Sequence, residues 1–282
     1  MSTAADTGRD EAPDRPAIAT ETHGDVLLVR FDRPWAHNAL DPDAMILFRE
    51  TMESFRDDPA LSVAVLTGTG TRAFCAGADL KRTGAPDLPF AAAHLAPYAQ
   101  GVREGGYVRA ITLSELQIGK PMIAAVNGHA LGGGLEIALH CHLRIASPNA
   151  TFGLPEARWA SVPAVGGASH LLRAIPQAVA LKMLLTGDRI DAAEALRVGL
   201  VSDVVPAEDL LDTALELARR IAANGPLAIR ALATLAHRTH DLPLSQSIAV
   251  EQLMWGLLRD TADRAEGRAA FAARRPPVYE GR

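Results

Sequence analysis

One segment decides the fold: PMIAAVNGHALGGGLEIAL, residues 121–139. Its first part, Met122–Val126, is a short apolar run closed by Asn127-Gly128, which is typical of a buried strand. Three glycines, Gly132–Gly134, then precede the apolar run Leu135–Leu139, and this order predicts the start of a buried helix. Free N–H groups and the helix dipole at such an end stabilise negative charge. The segment therefore predicts a strand, a turn and a helix with exposed N–H donors.

Similar apolar runs recur along the chain. Val26–Phe31, Ser62–Thr67 and Leu143–Ala146 are further candidate strands. Asp41-Pro42 predicts an N-cap and a first helical position, because the apolar residues that follow have helical spacing: Met45, Phe48, Met52 and Phe55. Strands separated by helices predict parallel pairing with right-handed crossovers, so the fold class is α/β.

The chain divides into three parts by composition. Residues 1–16 are polar and acidic and predict a disordered tail, whereas residues 17–205 carry the alternating strands and helices of the core. Residues 206–282 contain only helical patterns, and apolar helices of this kind often dock on another subunit. Within the core, 83–106 contains three prolines and has no clean period, which is typical either of a functional lid or of an ordinary surface loop.

Composition excludes several classes of function. The 282 residues include 28 Lys and Arg against 33 Asp and Glu, and this acidic balance argues against nucleic-acid binding. Two cysteines and no signal-peptide pattern predict a reduced, cytoplasmic protein. Residues 121–139 approach the length of a membrane span, but Asn127, His129 and Glu136 would be costly in a bilayer, so no membrane association is expected.

Two glutamates stand out as candidates for chemistry. Glu136 lies in an otherwise apolar helix, where a carboxyl group is costly unless it is paired or used. Glu156 follows Pro155 and would lie in the first turn of a helix; the alternative is a carboxylate that only complements the helix dipole, worth about 0.3–1 kcal/mol. The glycines do not match a phosphate-binding motif, although close packing of a helix on a strand remains an alternative reason for them.

Metal and nucleophile chemistry are not expected. His140-Cys141-His142 invites a metal interpretation, but residues two apart on a helix point away from each other. No further cysteine, histidine or carboxylate follows at a ligand spacing. A Gly-x-Ser-x-Gly nucleophile motif is also absent from the sequence.

Taken in order, the motifs resemble the enoyl-CoA hydratase/isomerase (crotonase) family. The resemblance runs from about Thr22 to Gly281. It rests on the following segments: Arg33-Pro34, Asn38-Ala39-Leu40, Ala73–Leu80, Gly132–Glu136, Phe152–Glu156, Leu185-Thr186-Gly187, Ala192–Leu200, Val204-Val205-Pro206, Glu266-Gly267, Phe271 and Arg275-Pro276.

The resemblance implies a fold and an active site. It implies a β-β-α spiral core with a C-terminal helical region that builds homotrimers, often paired into hexamers. The backbone N–H groups of Ala78 and Gly133 would form the oxyanion hole for the thioester oxygen of an acyl-CoA, and Glu136 and Glu156 would be the acid/base pair. No cofactor is implied beyond the CoA of the substrate. Further substrate-binding candidates are Ala76, Asp79, Leu80, Lys81, Arg82 and Arg274.

The resemblance also ranks the possible functions. Keeping both glutamates favours reversible hydration of a 2-enoyl-CoA to a 3-hydroxyacyl-CoA. Alternatives are an isomerase that shifts a 3-enoyl double bond with Glu156 alone, another dehydratase of the family, and a non-catalytic CoA-binding or RNA-associated scaffold. One departure from the family is Ala164, where hydratases often carry glycine and where the methyl group would crowd the water site. Candidates for lining the acyl tunnel, with ordinary packing as the alternative, are Phe90, Tyr98, Tyr107 and Trp159.

Overall fold

The computed structural model describes residues 15–83 and 87–282. The predicted disordered tail therefore lies outside the described residues, apart from its last two. Of these, Arg15 lies 3.2 Å from the carboxylate of Asp32 and stacks over the ring of Trp35.

The strands form two sheets. The larger sheet has the order β1-β2-β3-β5-β7-β10, and only its edge pair β1/β2 is antiparallel. The smaller sheet has the order β4-β6-β8-β9, with β9 antiparallel to β8. The strands are β1 (Ile18–His23), β2 (Val26–Phe31), β3 (Val63–Gly68), β4 (Ala73–Cys75), β5 (Met122–Val126), β6 (His129–Leu131), β7 (Leu143–Ala146), β8 (Thr151–Gly153), β9 (Ile190–Asp191) and β10 (Asp203–Val204).

A repeated strand pair generates this arrangement. In β3/β4, β5/β6 and β7/β8 the first strand joins the large sheet and the second joins the small one. Short turns such as Asn127-Gly128 separate the two strands of a pair, and the Asn127 side chain binds the neighbouring turn by donating to the carbonyls of Gly68 and Gly70. The predicted α/β class and the spiral core are confirmed. Three of the four predicted strands have the predicted bounds, and the fourth, β3, is shifted by one residue.

Twelve α-helices surround and extend the sheets within the described ranges. They are α1 (Pro42–Asp57), α2 (Phe90–Leu95), α3 (Tyr98–Gly101), α4 (Val108–Ile111), α5 (Gly133–His140), α6 (Gly167–Ala174), α7 (Gln177–Thr186), α8 (Ala192–Arg197), α9 (Leu210–Ala222), α10 (Pro226–Arg238), α11 (Leu244–Arg259) and α12 (Ala262–Ala273). Asp41 caps α1 as predicted, since its carboxylate accepts the N–H of Ala44 at 2.9 Å. In the part of the chain that the structure describes, no helix combines the length and the apolar character needed to cross a bilayer.

The two faces of the large sheet are covered by different helices. Alternate residues of β2 point to opposite faces, as the pleat requires. Val26 and Leu28 pack with Ala214 of α9, whereas Val29 and Phe31 pack with Phe48 of α1 in the main core. Although α9 belongs to the predicted C-terminal region 206–282, it therefore completes the core, and the division at residue 205 stays a prediction.

The remaining C-terminal helices expose apolar side chains. Leu244, Leu253, Trp255 and Leu257 of α11 are more than half exposed, and Phe271 of α12 is 87% exposed. Large exposed apolar side chains on two consecutive helices favour an interaction site. The predicted trimer or hexamer remains a prediction.

The prediction of an irregular segment at 83–106 was wrong for much of its length. Residues 90–101 form α2 and α3, and residues 84–86 lie outside the described residues. Pro89 and Pro97 occupy the N-cap positions of these two helices. Proline lacks an N–H group and is tolerated where a helix starts, so here the prolines begin helices instead of preventing them.

Replacing Gly134 by alanine should destabilise the protein. A Cβ atom at Gly134 would lie 2.0 Å from the Cys75 carbonyl oxygen, so α5 and β4 would have to move apart. We expect a loss of at least about 2 kcal/mol in the free energy of unfolding, measured by urea denaturation. Gly256→Ala in α11 is the control, because its Cβ would meet no atom within 4 Å; we expect no loss, or a gain of up to about 1 kcal/mol. Equal stability of Gly134→Ala and the wild type would contradict this packing.

Candidate active site

Most of the predicted site residues line one cavity. It has a volume of about 220 Å³ and lies where α5, the end of β4 and the segment after β8 meet. Its lining includes all four predicted catalytic and oxyanion residues, Ala78, Gly133, Glu136 and Glu156, together with Ala76 and Leu80. A larger cavity of about 560 Å³ between α10 and α12 contains none of these residues.

The backbone N–H of Ala78 is left free by the pairing of its neighbours. Leu40 donates its N–H to the Gly77 carbonyl at 2.8 Å and accepts the N–H of Asp79 at 2.8 Å. This parallel bridge binds the residues on either side of Ala78. The N–H of Ala78 itself has no acceptor among the described residues 15–83 and 87–282. An N–H group without a protein acceptor on a cavity wall is available to bind a ligand or water.

The N–H of Gly133 lies beside that of Ala78. It is the first N–H of α5 and has no partner within the helix. Gly77, which has a φ of +84°, lets the two loops approach: a Cβ there would lie 2.9 Å from the Gly133 nitrogen. Two N–H groups from separate loops therefore lie near each other on the wall of one cavity.

Glu136 is held by the turn at which α6 begins. Its side chain is buried, and Oε1 accepts the N–H groups of Val165 at 2.7 Å and Gly167 at 2.8 Å. Burial raises the pKa of this carboxyl group, and the two N–H bonds oppose the rise. Ala164 lines the cavity, as the sequence predicts, but Val165 and Gly167 provide the N–H groups that bind the carboxylate.

Glu156 has a different environment. Pro155 begins a short 3₁₀ helix, Pro155–Trp159, and Glu156 lies in its first turn as predicted. Burial raises the pKa of Glu156 to about 7, and the negative charge of Glu136 adds to the rise. Oε2 of Glu156 is buried and has no hydrogen-bond partner among the described residues. The cavity thus holds two carboxyl groups, one fixed by N–H donors and one close to its titration point at neutral pH.

Comparison with known proteins agrees with this geometry. The family model described as enoyl-CoA hydratase/isomerase matches residues 21–282. The chain belongs to the enoyl-CoA hydratase/isomerase family. The resemblance in the sequence motifs is thereby confirmed.

Individual relatives cover nearly the whole chain. An (E)-benzylidenesuccinyl-CoA hydratase of Thauera aromatica is 47% identical over 94% of this chain and 99% of its own length. A carnitinyl-CoA dehydratase of Proteus mirabilis is 41% identical over 93% of this chain and 97% of its own. The crystal structure of an enoyl-CoA hydratase from Bacillus anthracis superposes with a TM-score of 0.85 at 34% identity, covering 94% of this chain and 100% of that one. The predicted assignment to the hydratase enzymes, which are carbon–oxygen lyases, is confirmed at the level of the family.

Sequence reasoning missed the role of Arg33 in this family member. The buried guanidinium lies 3.1 Å from the carboxylate of Asp41 and 3.0 Å from that of Asp79, and it also donates to the Ala39 carbonyl. It therefore ties the end of β2 and the start of α1 to the loop that carries Ala78. The Arg33-Pro34 motif was visible in the sequence, but its partners come together only in the fold.

Several other candidates lie away from the cavity. Asp79 was predicted to bind substrate, but its carboxylate is bound to Arg33. Asp79, Lys81 and Arg274 do not line the cavity. Of the tunnel candidates, Tyr107 and Trp159 line it, whereas Phe90 stacks on His94 and Tyr98 lies under the guanidinium groups of Arg49 and Arg109. The side chains of Phe90 and Tyr98 therefore pack within or around the segment 83–106.

The expectation that His140 and His142 point apart was also wrong. α5 ends at His140, so His142 lies beyond the helix and the periodicity argument does not apply. Both rings approach His237 of α10, at 6.3 Å and 4.4 Å between ring centroids. Among residues 15–83 and 87–282, no three histidine, cysteine or carboxylate groups stand in a metal-binding arrangement.

The Glu156→Gln variant should be more stable than the wild type at pH 8 but not at pH 4.5. The folded state favours the protonated acid, since the pKa rises from the ordinary value of 4.5 to about 7. Stability is therefore lost as the pH rises from about 4.5 to 7, and a permanently neutral amide avoids this loss. We expect a gain of about 1–3 kcal/mol at pH 8 in the free energy of unfolding by urea. The same gain at both pH values, or none at pH 8, would contradict the raised pKa.

Proposed function

We propose that this protein catalyses the reversible hydration of a 2-enoyl-CoA thioester to a 3-hydroxyacyl-CoA. One observation carries the proposal: two N–H groups without acceptors and two carboxyl groups of different environment line a single cavity. The family supports it, because relatives named as a hydratase and a dehydratase are 47% and 41% identical over almost the full chain.

The N–H groups of Ala78 and Gly133 bind the thioester oxygen. When water adds to C3, negative charge develops on this oxygen as the thioester becomes an enolate. Donors aimed at a developing charge stabilise the transition state more than the ground state. One such donor contributes about 3–4 kcal/mol.

The two glutamates divide the proton transfers. Ionised Glu136 keeps its geometry through the N–H groups on Oε1, while no protein donor in the described ranges reaches its Oε2. Oε2 accepts a proton from water as the water oxygen bonds to C3. Protonated Glu156, with a pKa of about 7, gives its proton to C2. The net change adds H and OH across the double bond, and one proton returns from Glu136 to Glu156 through water to complete the cycle.

The alternatives account for the site less well. An isomerase that moves a double bond with Glu156 alone has no use for Glu136, which is 3% exposed and bound by two dedicated N–H donors. A scaffold that only binds CoA has no need of either carboxyl group in an apolar cavity. Burying a carboxyl group costs free energy. Neither alternative explains why the protein would bury a carboxyl group that it does not use.

We further propose that the acyl group is bulky and apolar at its far end. Tyr107, Ile111, Trp159 and Val162 line the cavity, and Trp159 and Val162 are 68% and 72% exposed. Exposed aromatic and aliphatic side chains around a cavity gain stability when an apolar group covers them. The benzylidene group in the name of the Thauera relative's substrate has this character.

Removing either carboxyl group should stop hydration without preventing binding. For Glu136→Gln and Glu156→Gln we expect kcat to fall at least about a hundredfold, since each loses one proton transfer, while the dissociation constant for an acyl-CoA changes little. The measurement follows the loss of conjugation of a 2-enoyl-CoA, with binding measured by calorimetry. Glu50→Gln on the exposed side of α1 is the control and should keep wild-type turnover. Near-normal turnover in both active-site variants would rule out the proposed mechanism.

Shortening Trp159 should change substrate preference. In Trp159→Ala we expect kcat/KM to fall about tenfold for an aryl-substituted 2-enoyl-CoA and less than twofold for a four-carbon 2-enoyl-CoA, which does not reach the indole ring. A panel of short, long, branched and aromatic 2-enoyl-CoAs provides the comparison. An equal loss for all substrates would show that Trp159 does not contact the far end of the acyl group.

A further inference from the structure

Four histidines lie together behind the active site, where His140 is buried, His142 and His170 are half-buried and His237 is exposed. They are His140 at the end of α5, His142 just before β7, His170 of α6 and His237 of α10, and they are called the histidine cluster below. The ring centroids of His140 and His170 are 4.5 Å apart in an edge-to-face contact, and those of His142 and His237 are 4.4 Å apart. His140 and His237 connect the two pairs at 6.3 Å. The mechanism described above uses none of these side chains.

The cluster touches the turn that holds Glu136. His140 follows Glu136 by one turn of α5, and His170 donates its backbone N–H to the Gly166 carbonyl at 2.8 Å. A Cβ at Gly166 would lie 2.9 Å from the ring of His170 and 3.9 Å from that of His140, so the two rings abut this glycine. The neighbouring Gly167 N–H is one of the two donors to Glu136 Oε1. The ring of His170 therefore packs on the turn that fixes the carboxylate, and the ring of His140 lies behind it.

We propose that His140 and His170 are positioning residues for Glu136: their neutral rings hold the turn at Gly166 and Gly167 against the carboxylate, and protonation within the histidine cluster releases it. This inference rests on the proposed hydratase function for its effect on turnover, but not for its effect on stability.

Among the described residues, basic groups outnumber acidic groups around the cluster. The basic groups that face it are Arg144 beside β7, Arg173 of α6 and Arg238 of α10, together with the exposed His240. The acidic groups are Glu136, whose Oε1 is bound by the turn, and Asp241, which is exposed and paired with Arg173 at 2.7 Å. A proton on any ring of the cluster is therefore repelled by its neighbours and poorly compensated.

The titration of the cluster follows from its burial. Burial lowers the pKa of His140 to about 3 and of His142 to about 4, with the neighbouring rings adding to the shift. Burial also lowers the pKa values of His170 and His237, which are the less buried members and so accept a proton first. In the unfolded chain these histidines titrate near 6.5. Because the unfolded state binds more protons, stability falls as the pH drops below about 6.5.

Replacing the proton acceptors by phenylalanine separates packing from charge. The double variant His170→Phe/His237→Phe keeps ring contacts but cannot be protonated. We expect its KM at pH 7.5 to stay within twofold of the wild type. When the pH is lowered from 7.5 to 5.5, we expect the factor by which kcat falls to be at least about three times larger in the wild type than in the double variant. The reason is that the turn stays in place in the double variant. His23→Gln, in β1 at the far edge of the large sheet, is the control and should follow the wild-type profile.

A second pair of variants tests positioning at neutral pH. His140→Ala removes the ring behind Gly166, and we expect kcat at pH 7.5 to fall about tenfold with KM unchanged, while His140→Phe restores most of it. The acid limb from Glu136 and the alkaline limb from Glu156 are common to all these proteins, so a change in the acid limb reports on the histidines. An identical acid limb in the wild type and the folded double variant overturns the proposal, as does a neutral-pH loss that His140→Phe does not rescue.

Thermal unfolding gives a readout that needs no activity. We expect Tm to fall by several degrees between pH 7.5 and 5.5 in the wild type, and by less in the double variant. If Tm falls more in the wild type than in the double variant, but the wild type has no hydratase activity, the cluster is acid-sensitive and the proposed function fails. If activity is present and the double variant changes neither the Tm difference nor the acid limb, the proposed function stands and this inference fails. Should the double variant not fold, His237→Gln alone tests the same two differences.

Discussion

The site depends on two backbone N–H groups that the fold prevents from finding an acceptor of their own. Leu40 pairs with the residues on either side of Ala78, and Gly133 is the first residue of α5, so neither amide has a partner within the described ranges. Gly77 allows the two loops to meet, since a side chain there would strike the Gly133 backbone. Because both groups lie on the cavity wall, they are available to bind an oxygen atom there. The arrangement explains why the glycines are concentrated at this point of the chain.

The two carboxyl groups acquire different chemistry from their neighbours. Glu136 is nearly inaccessible but receives two N–H bonds from one turn, whereas Glu156 has a buried oxygen that no described residue binds. Donors to the ionised form favour a base, and desolvation without donors favours an acid. Two identical side chains in one cavity thus become suited to opposite proton transfers at the same pH, and the turn at Val165–Gly167 is what separates them.

Local sequence patterns predicted the parts of the fold that depend on neighbouring residues. β2, β5 and β7 were visible as short apolar runs, and the charged Glu136 stood out in an apolar helix. Contacts between distant segments were not visible: Arg33 meets Asp79 across 46 positions, and His140 meets His237 only because α10 returns to the end of α5. The segment 83–106 was misjudged because its prolines were interpreted as breaks, although two of them start helices. The family resemblance assigned roles to Ala78 and Gly133 that no periodicity shows.

A crystal structure with a bound saturated acyl-CoA tests the account most directly, because this ligand keeps the thioester but cannot be hydrated. In the proposed mechanism, the thioester oxygen lies within about 3 Å of the nitrogen atoms of both Ala78 and Gly133. The mechanism also places the carboxyl groups of Glu136 and Glu156 against C2 and C3 of the acyl chain. A thioester oxygen bound elsewhere, or a glutamate turned away from these carbon atoms, would contradict it.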